Sequence, residues 1–165
     1  MRFTLGLLCV AALGATPATG STVDEWPAAP KRVVLETPYG TLAIRASDYL
    51  YGAMLTFNQA ATTPHLQGIL NIPYAYQVGK QQMALVSEDK GLPDCPVTYY
   101  WVVINSTGYH ISAPFGSCST QIRLVTQGAL LRMETPDHQD ATKLDVWTFN
   151  GKKVQKTTVR RTAAK

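Results

Sequence analysis

The 165-residue sequence contains few of the residues from which common catalytic and metal sites are built. It has only three cysteines and three histidines, and no two histidines have the i, i+4 spacing of the helical zinc motif. The Gly-x-Ser-x-Gly turn of serine hydrolases and the glycine-rich phosphate loop are also missing. These absences exclude the simplest sequence signatures of zinc peptidases, serine hydrolases and P-loop nucleotide-binding proteins.

Long hydrophobic runs and helical patterns are scarce as well. After residues 5–13, no segment approaches the roughly 20 apolar residues that a membrane-spanning helix needs, and no sustained 3.6-residue stripe appears. Hydrophobic residues make up 45% of the chain and charged residues 16%, a balance that excludes intrinsic disorder as the main description. The length is typical of a single domain.

The first twenty residues have the order of a secretory signal peptide. Arg2 supplies a positive start, residues 5–13 form a short apolar run, and small residues precede a cleavage point before Ser21. The alternatives are an N-terminal membrane anchor or a buried helix. We expect residues 1–20 to be removed on export.

Two cysteines, Cys95 and Cys118, remain after this removal. An even pair in an exported protein predicts one disulfide, with a free thiol pair or a catalytic cysteine as the alternatives. Asn105 and Gly108 flank a predicted two-residue turn, and the cysteines lie at equal distances outside it. They are therefore expected at opposite positions of an antiparallel pair, at a Cα separation that a disulfide accommodates. The prolines next to the pairing segments are expected to interrupt regular pairing before it reaches the bridge.

The rest of the chain alternates β-rich runs with turn residues. Residues 97–104 form the strongest run, and their apolar side chains at both parities predict a strand buried on both faces. Pro73 interrupts the run at 69–78 and predicts an edge strand, whereas residues 58–68 are predicted to form a loop. Further strands are predicted at 31–37, 41–46, 53–57, 82–88, 109–113, 121–126, 129–134, 144–149 and 152–159.

These segments predict an all-β fold: an antiparallel sandwich or partly open barrel of about nine or ten short strands with one disulfide. The predicted single β domain covers residues 31–159. Residues 21–30 are expected to be an extended N-terminal segment, and residues 160–165 a basic C-terminal tail.

Candidate chemical groups are sparse. Residues 116–119 are similar to a nucleophile turn, but turn residues flanking a disulfide explain them better. Residues 137–140 contain two carboxylates and an imidazole, for which a solvated turn is favoured over a metal site. Glu88-Asp89 together with Asp94 is interpreted in the same way, as a solvated acidic turn, and His110 is expected to be an edge histidine rather than a base. We predict no catalytic residue, no metal and no cofactor.

Positive charge is concentrated near the C-terminus. Removal of residues 1–20 changes the net charge from +4 to +3, because Arg2 is lost. Lysine on an edge strand opposes edge-to-edge aggregation, and the alternative is contact with anionic lipid, cell-wall polymer or an acidic protein. The basic residues in question are Lys152, Lys153, Lys156, Arg160, Arg161 and Lys165.

Two blocks of the sequence resemble exported bacterial β-rich proteins of unknown function. The first is D-C-P-x-x-Y-Y at residues 94–100, and the second is S-x-P-F-G-S-C-S at residues 112–119. Proteins of this kind typically open with a Thr-Pro-x-Gly hairpin, which residues 37–40 match. The resemblance implies a periplasmic β-rich domain with a Cys95–Cys118 bridge, and it implies no reaction.

The sequence therefore favours a periplasmic or secreted binding protein that is not an enzyme. An inhibitor or immunity-type protein that blocks another protein fits the small size and the predicted disulfide. The expected partner is another protein, with a cell-envelope component as the alternative, and export argues against nucleic acid. The other functional classes are a structural or assembly module of the envelope and an envelope hydrolase, which would place His110 or His138 near a carboxylate.

Aromatic side chains are the predicted contacts with the partner. They supply a large contact area at a low cost in conformational entropy, and tyrosine is enriched in interfaces. Ordinary packing in or beside the sheet is the alternative role for the same side chains. The candidate binding residues are Tyr74, Tyr76, Tyr109 and Phe115.

Overall fold

The structure is a computed structural model that describes residues 26–47 and 52–161. The predicted signal peptide, residues 1–20, lies outside the described residues. The described chain is built entirely from strands and connections, which confirms the all-β prediction. The strands are β1 (Val34–Thr37), β2 (Gly40–Ala46), β3 (Ala53–Phe57), β4 (Ala60–Ala61), β5 (Gln67–Val78), β6 (Gln81–Asp89), β7 (Thr98–Asn105), β8 (Gly108–Ile111), β9 (Arg123–Gln127), β10 (Leu130–Pro136), β11 (Lys143–Phe149) and β12 (Val154–Arg160).

The strands form two antiparallel sheets. The large sheet has the order β1-β2-β3-β5-β6-β7-β8, with the two-residue β4 paired to β3, and the small sheet has the order β12-β11-β10-β9. The predicted loop at 58–68 contains β4 and the start of β5. Asn58 and Gln59 turn the chain between β3 and β4, and both have positive φ angles. A hairpin without glycine at this turn explains why the sequence pattern did not reveal it.

β7 is buried on both faces, as its composition predicts. One face packs against the small sheet, where the Trp101 ring stacks on Phe149 with 5.4 Å between ring centroids. Such aromatic pairs add about 0.5–1.5 kcal/mol to the stabilisation from burial alone. The buried residues that pack together on this side form the first core cluster, which contains Met83, Leu85, Val97, Tyr99, Trp101, Val103, Phe115, Ile122, Leu131, Met133 and Phe149.

The opposite face of β7 packs against side chains from other strands of the large sheet. The sheet curls so that side chains of β2 and β3 reach those of β7 and β8, and the rings of Phe57 and Tyr109 lie 5.0 Å apart. β3 and β8 are not neighbours in the strand order, so this contact crosses the interior. The second core cluster contains Leu42, Leu55, Leu66, Leu70, Ile72, Ala84, Val86, Tyr100, Val102 and Ile104.

The β7–β8 hairpin has the predicted register. Asn105 pairs with Gly108, and Val103 pairs with His110. Further along, Tyr99 pairs with Phe115, one residue out of step with the hairpin, so the regular pairing ends before the cysteines as expected.

The predicted disulfide is present. Cys95 and Cys118 are bonded with a Cα–Cα distance of 4.6 Å. The bridge closes the segment that carries β7 and β8, and it ties the start of β7 to the chain that leads into β9. The strand that joins both core clusters is thereby linked covalently to the chain entering the small sheet.

The prediction that Pro73 marks an edge strand is wrong. β5 lies between β3 and β6 in the large sheet. Pro73 falls where the β5–β6 register shifts between Asn71 and Tyr74, so the missing N–H does not break a regular ladder. The N–H of Ile72 instead donates to the carbonyl of Arg32 at 3.0 Å.

The N-terminal segment contacts the small sheet as well. Residues 26–30 have no regular secondary structure. The Trp26 ring centroid lies 5.2 Å from the guanidinium carbon of Arg123 and 5.7 Å from that of Arg161. These cation–π contacts hold the segment beside the small sheet.

At the other end of the chain, β12 extends to Arg160, one residue beyond the predicted domain end.

Replacing Cys95 and Cys118 together by alanine is expected to lower the free energy of unfolding by about 3 kcal/mol, because the bridge joins residues 23 positions apart and restricts the unfolded chain. Urea unfolding followed by tryptophan fluorescence measures the change. The folded variant should keep its near-ultraviolet circular dichroism, since the hairpin register is set by the turn. An unfolding midpoint equal to that of the oxidised wild type would contradict the prediction.

Candidate functional site

A cleft of about 710 Å³ opens where β5 begins and β6 ends. Cavities of about 300–1,000 Å³ are typical of ligand sites. Its polar and apolar groups come from three neighbouring parts of the large sheet: Ser47 with Gly52 and Ala53, the entry to β5 and the exit from β6. The side chains that give it chemical character are His65, Gln67, Ile69, Glu88, Asp89 and Lys90.

Glycines bring the chain segments of this cleft close together. Gly68 pairs with Ala53 and has a φ angle of +137°, a region that other residues rarely adopt. A Cβ atom on Gly68 would lie 2.5 Å from the carbonyl oxygen of Asp89, and one on Gly52 would lie 3.3 Å from the carbonyl oxygen of Gly68. A side chain at Gly68 would therefore push β5 away from the end of β6.

Glu88 is the buried charged group of the cleft, and its placement corrects the prediction of a solvated acidic turn. It is the penultimate residue of β6, and its side chain is 1% exposed. Ala84 and Val86 precede it at alternate positions and belong to the second core cluster. The alternation along β6 therefore continues through Glu88, which points to the interior.

Three donors compensate the buried carboxylate of Glu88. The Tyr100 hydroxyl donates to Oε2 at 2.8 Å, and the Gln67 backbone N–H donates to Oε1 at 3.1 Å. The Lys90 ammonium lies 3.2 Å from Oε2. Burial and the hydrogen bond to Glu88 raise the pKa of the Tyr100 hydroxyl, which remains a donor at neutral pH. A buried charge with this many partners is stable in place.

The arrangement is suited to electrostatic recognition. Glu88 is oriented by strand β7 through Tyr100 and by strand β5 through Gln67, so its position is set by the sheet. Asp89 Oδ1 accepts from the Gly91 N–H at 2.7 Å and stabilises the turn after β6. The cleft thus combines one buried carboxylate with a second one at its wall.

The predicted aromatic binding residues do not form one surface. Phe115 is buried in the first core cluster, and its ring lies 5.7 Å from that of Trp147. Tyr74 and Tyr76 are half-buried and pack against the same cluster. Desolvation raises the pKa of the Tyr76 hydroxyl, with a smaller contribution from Tyr74.

Tyr109 belongs to the other side of the large sheet. Its ring packs against the second core cluster, and its hydroxyl accepts a hydrogen bond from the Thr63 N–H at 2.9 Å. Tyr74 and Tyr76, the half-buried tyrosines of β5, therefore remain candidates for contact with a partner protein, whereas Phe115 and Tyr109 make structural contacts.

Ser117, in the turn similar to a nucleophile turn, has a structural environment. It is buried and donates to Asp145 Oδ2 at 2.5 Å, and it accepts from Trp147 Nε1 at 3.3 Å. Lys156 Nζ lies 2.8 Å from the same Asp145 oxygen, and the Thr158 hydroxyl donates to Oδ1 at 2.7 Å. This network links the disulfide loop to β11 and β12.

The acidic segment at 137–140 is a self-contained turn. Asp137 Oδ1 accepts from the N–H groups of Gln139 and Asp140, at 2.9 and 2.8 Å. The Thr142 hydroxyl and the Lys143 ammonium lower the pKa of Asp140 to about 2. Across residues 26–47 and 52–161, no three metal-ligating side chains of His, Cys, Asp or Glu come together.

The three histidines are placed apart. His65 lines the cleft, whereas His110 is an exposed residue of β8 and His138 is exposed in the turn between β10 and β11. His110 and His138, the two that the hydrolase alternative would use, are not among the cleft residues.

The chain was compared with known proteins, and neither a protein-family model, nor a curated protein, nor a solved structure matched it. The part of the chain that the structure describes contains no helix with the length and apolar character required to cross a membrane. The function is therefore inferred from the geometry of the chain itself.

Asp145→Asn is expected to lower the free energy of unfolding by about 2 kcal/mol at pH 7, because it removes the charge from a buried hydrogen-bonded group. Burial alone would raise the pKa of Asp145, but Lys156, Ser117 and Thr158 together lower it. The contribution is therefore present above the ordinary aspartate pKa and is lost as the pH falls through the folded value. Urea unfolding at several pH values measures the difference.

The matched control is Asp140→Asn, which removes a carboxylate paired with Lys143 on the surface. Water screens this exposed pair, so the variant should unfold close to the wild type. Equal effects of the two substitutions at pH 7 would contradict the role assigned to the Ser117–Asp145 network.

Proposed function

We propose that this chain is an exported bacterial binding protein that acts in the periplasm or outside the cell by blocking another protein. The proposal rests on the open cleft that has the buried Glu88 carboxylate among its lining residues. A charge that is buried, oriented and reached from a cleft is a recognition element. The other polar residues that the sequence singled out, in the turns at 116–119 and 137–140, are engaged in local structure.

The edge of the cleft supports a protein as the partner. Ile69, which lines the cleft, is 71% exposed, and Leu92, which follows the cleft-lining Gly91, is 55% exposed. The two exposed apolar side chains near the cleft provide area that a protein surface would bury, and the Glu88 carboxylate provides specificity. A partner docked here would bring one side chain into the cleft.

The disulfide supports export. Cytosolic thiols are kept reduced, whereas exported proteins retain disulfide bonds. The Cys95–Cys118 bridge is thus consistent with the signal peptide expected at residues 1–20. Inhibitors and immunity-type proteins of the cell envelope need a stable scaffold, and two core clusters sharing one strand supply it.

Export predicts that the full chain, expressed in a bacterial host, accumulates in the periplasmic fraction or the medium with Ser21 as its first residue. Intact-mass measurement of each fraction before and after thiol alkylation tests cleavage and disulfide formation together. An uncleaved chain in the cytoplasm with free Cys95 and Cys118 thiols would contradict the proposal.

Ile69→Lys is expected to weaken capture of the partner about tenfold or more, because it places a charge at the docking surface beside the cleft. The measurement is a pull-down from periplasmic and secreted fractions of the native host, followed by the dissociation constant of the captured protein. Val125→Lys is the matched control, an exposed apolar residue of β9 outside the cleft.

The double variant Tyr74→Ala, Tyr76→Ala tests the other candidate surface. If the double variant no longer captures the partner while Ile69→Lys still does, the partner docks at the β5 tyrosines and the cleft proposal is wrong. If no protein is captured by the wild type above background, the proposed blocking function is wrong.

A further inference from the structure

We propose that the cleft binds the cationic side chain of a lysine or arginine from the partner protein, which replaces the Lys90 ammonium on the Glu88 carboxylate. This assignment rests on the proposed function, since it names the group that the docked partner brings into the cleft.

Glu88 is reached by a cation from the solvent side of the cleft. Its side chain is almost fully buried, yet Oε2 is reached by Lys90, whose own side chain is 53% exposed. The other two donors, Gln67 N–H and the Tyr100 hydroxyl, come from strands of the sheet. The ammonium therefore approaches from the solvent side, and a second cation on an aliphatic stem can take the same route.

The cleft also has room for the stem of a cationic side chain. A Cβ atom on Gly91 would meet no atom within 4 Å, so the chain leaves open space at this end of the cleft, and Ile69 offers an apolar surface beside it. An unbranched methylene chain can occupy this space, and Ile69 can pack along it. A bulky or branched apolar group would leave the buried carboxylate without its cation.

The charge of the cleft also favours a cation. The cleft is lined by Glu88 and Asp89, and Lys90 is the lysine among its lining residues. When the Lys90 ammonium turns out into water, two carboxylates remain to attract a cation. The buried Glu88 carboxylate needs a cationic partner, but the half-exposed Lys90 side chain loses conformational freedom when it is held in one position. Lys90 is thus an exchangeable occupant of the site.

The test uses the purified exported protein labelled with 15N and titrated by NMR with two small probes. N-acetyl-lysine methylamide carries the ammonium, and N-acetyl-norleucine methylamide has a similar stem without it. The lysine probe should shift cleft resonances around Gly68 and Gly91, and the norleucine probe should not. Equal shifts with both probes, or none with either, would overturn the proposal.

Lys90→Met is the decisive variant, since it keeps the stem and removes the internal competitor. If Lys90 occupies the site for most of the time, the lysine probe should bind about fivefold to tenfold more tightly to the variant. Lys143→Met is the matched control, because Lys143 is similarly exposed and pairs with Asp140 at the surface. Unchanged affinity in Lys90→Met would overturn the proposal.

If Lys90→Met does not fold, Glu88→Gln provides an independent test of the cation site. The amide oxygen can still accept from Tyr100 or Gln67, whereas the charge is lost, so binding of the lysine probe should fall about tenfold or more. Thermal unfolding of the variant, monitored by circular dichroism, verifies that it is folded. Undiminished probe binding by folded Glu88→Gln would overturn the assignment.

The two proposals fail in different ways. Capture of a protein that is lost in Ile69→Lys, together with negative probe titrations, overturns the cation assignment and leaves the blocking function supported. If the lysine probe binds but no protein is captured, the cation does not come from a partner protein. The blocking function is then wrong, and the ligand of the cleft is a free amine.

Discussion

Both faces of β7 are buried, and each face holds a different part of the molecule together. Trp101 on one side stacks against Phe149 of the small sheet, while Tyr100 on the other side reaches Glu88 at the cleft. Because neighbouring side chains of a strand point in opposite directions, a slip of one residue would exchange the two faces. The small sheet, the interior of the large sheet and the orientation of Glu88 therefore depend on one strand register.

Among residues 26–47 and 52–161, two carboxylates are buried, and their surroundings explain their different roles. Asp145 is surrounded by hydroxyl groups and Lys156 in a network between the disulfide loop and the small sheet, so it stabilises the packing of these parts. Glu88 has comparable compensation but lies beside an open cleft. A buried charge is costly without compensating groups. For Glu88 one of these groups is the half-exposed Lys90 ammonium, which another cation can replace.

Local sequence patterns were sufficient for much of the architecture. The turn between Asn105 and Gly108 set the hairpin register, and the symmetric spacing of the two cysteines about this turn indicated their bridge, although the regular pairing ends before it. The same patterns failed at Pro73, because strand order in a sheet depends on which distant segments pair with it. They failed at Glu88 for a related reason: its donors Tyr100 and Gln67 are 12 and 21 residues away in sequence.

The all-β class, the two-sided burial of β7 and the Cys95–Cys118 pair could be inferred from the sequence, since alternation, turn residues and cysteine spacing act over short stretches of chain. The cleft, the burial of Glu88 and the structural role of Phe115 were decided only when the large sheet curled and the small sheet covered it. Whether an acidic or aromatic side chain is exposed depends on the segments that pack over it, and those segments are brought together by tertiary contacts.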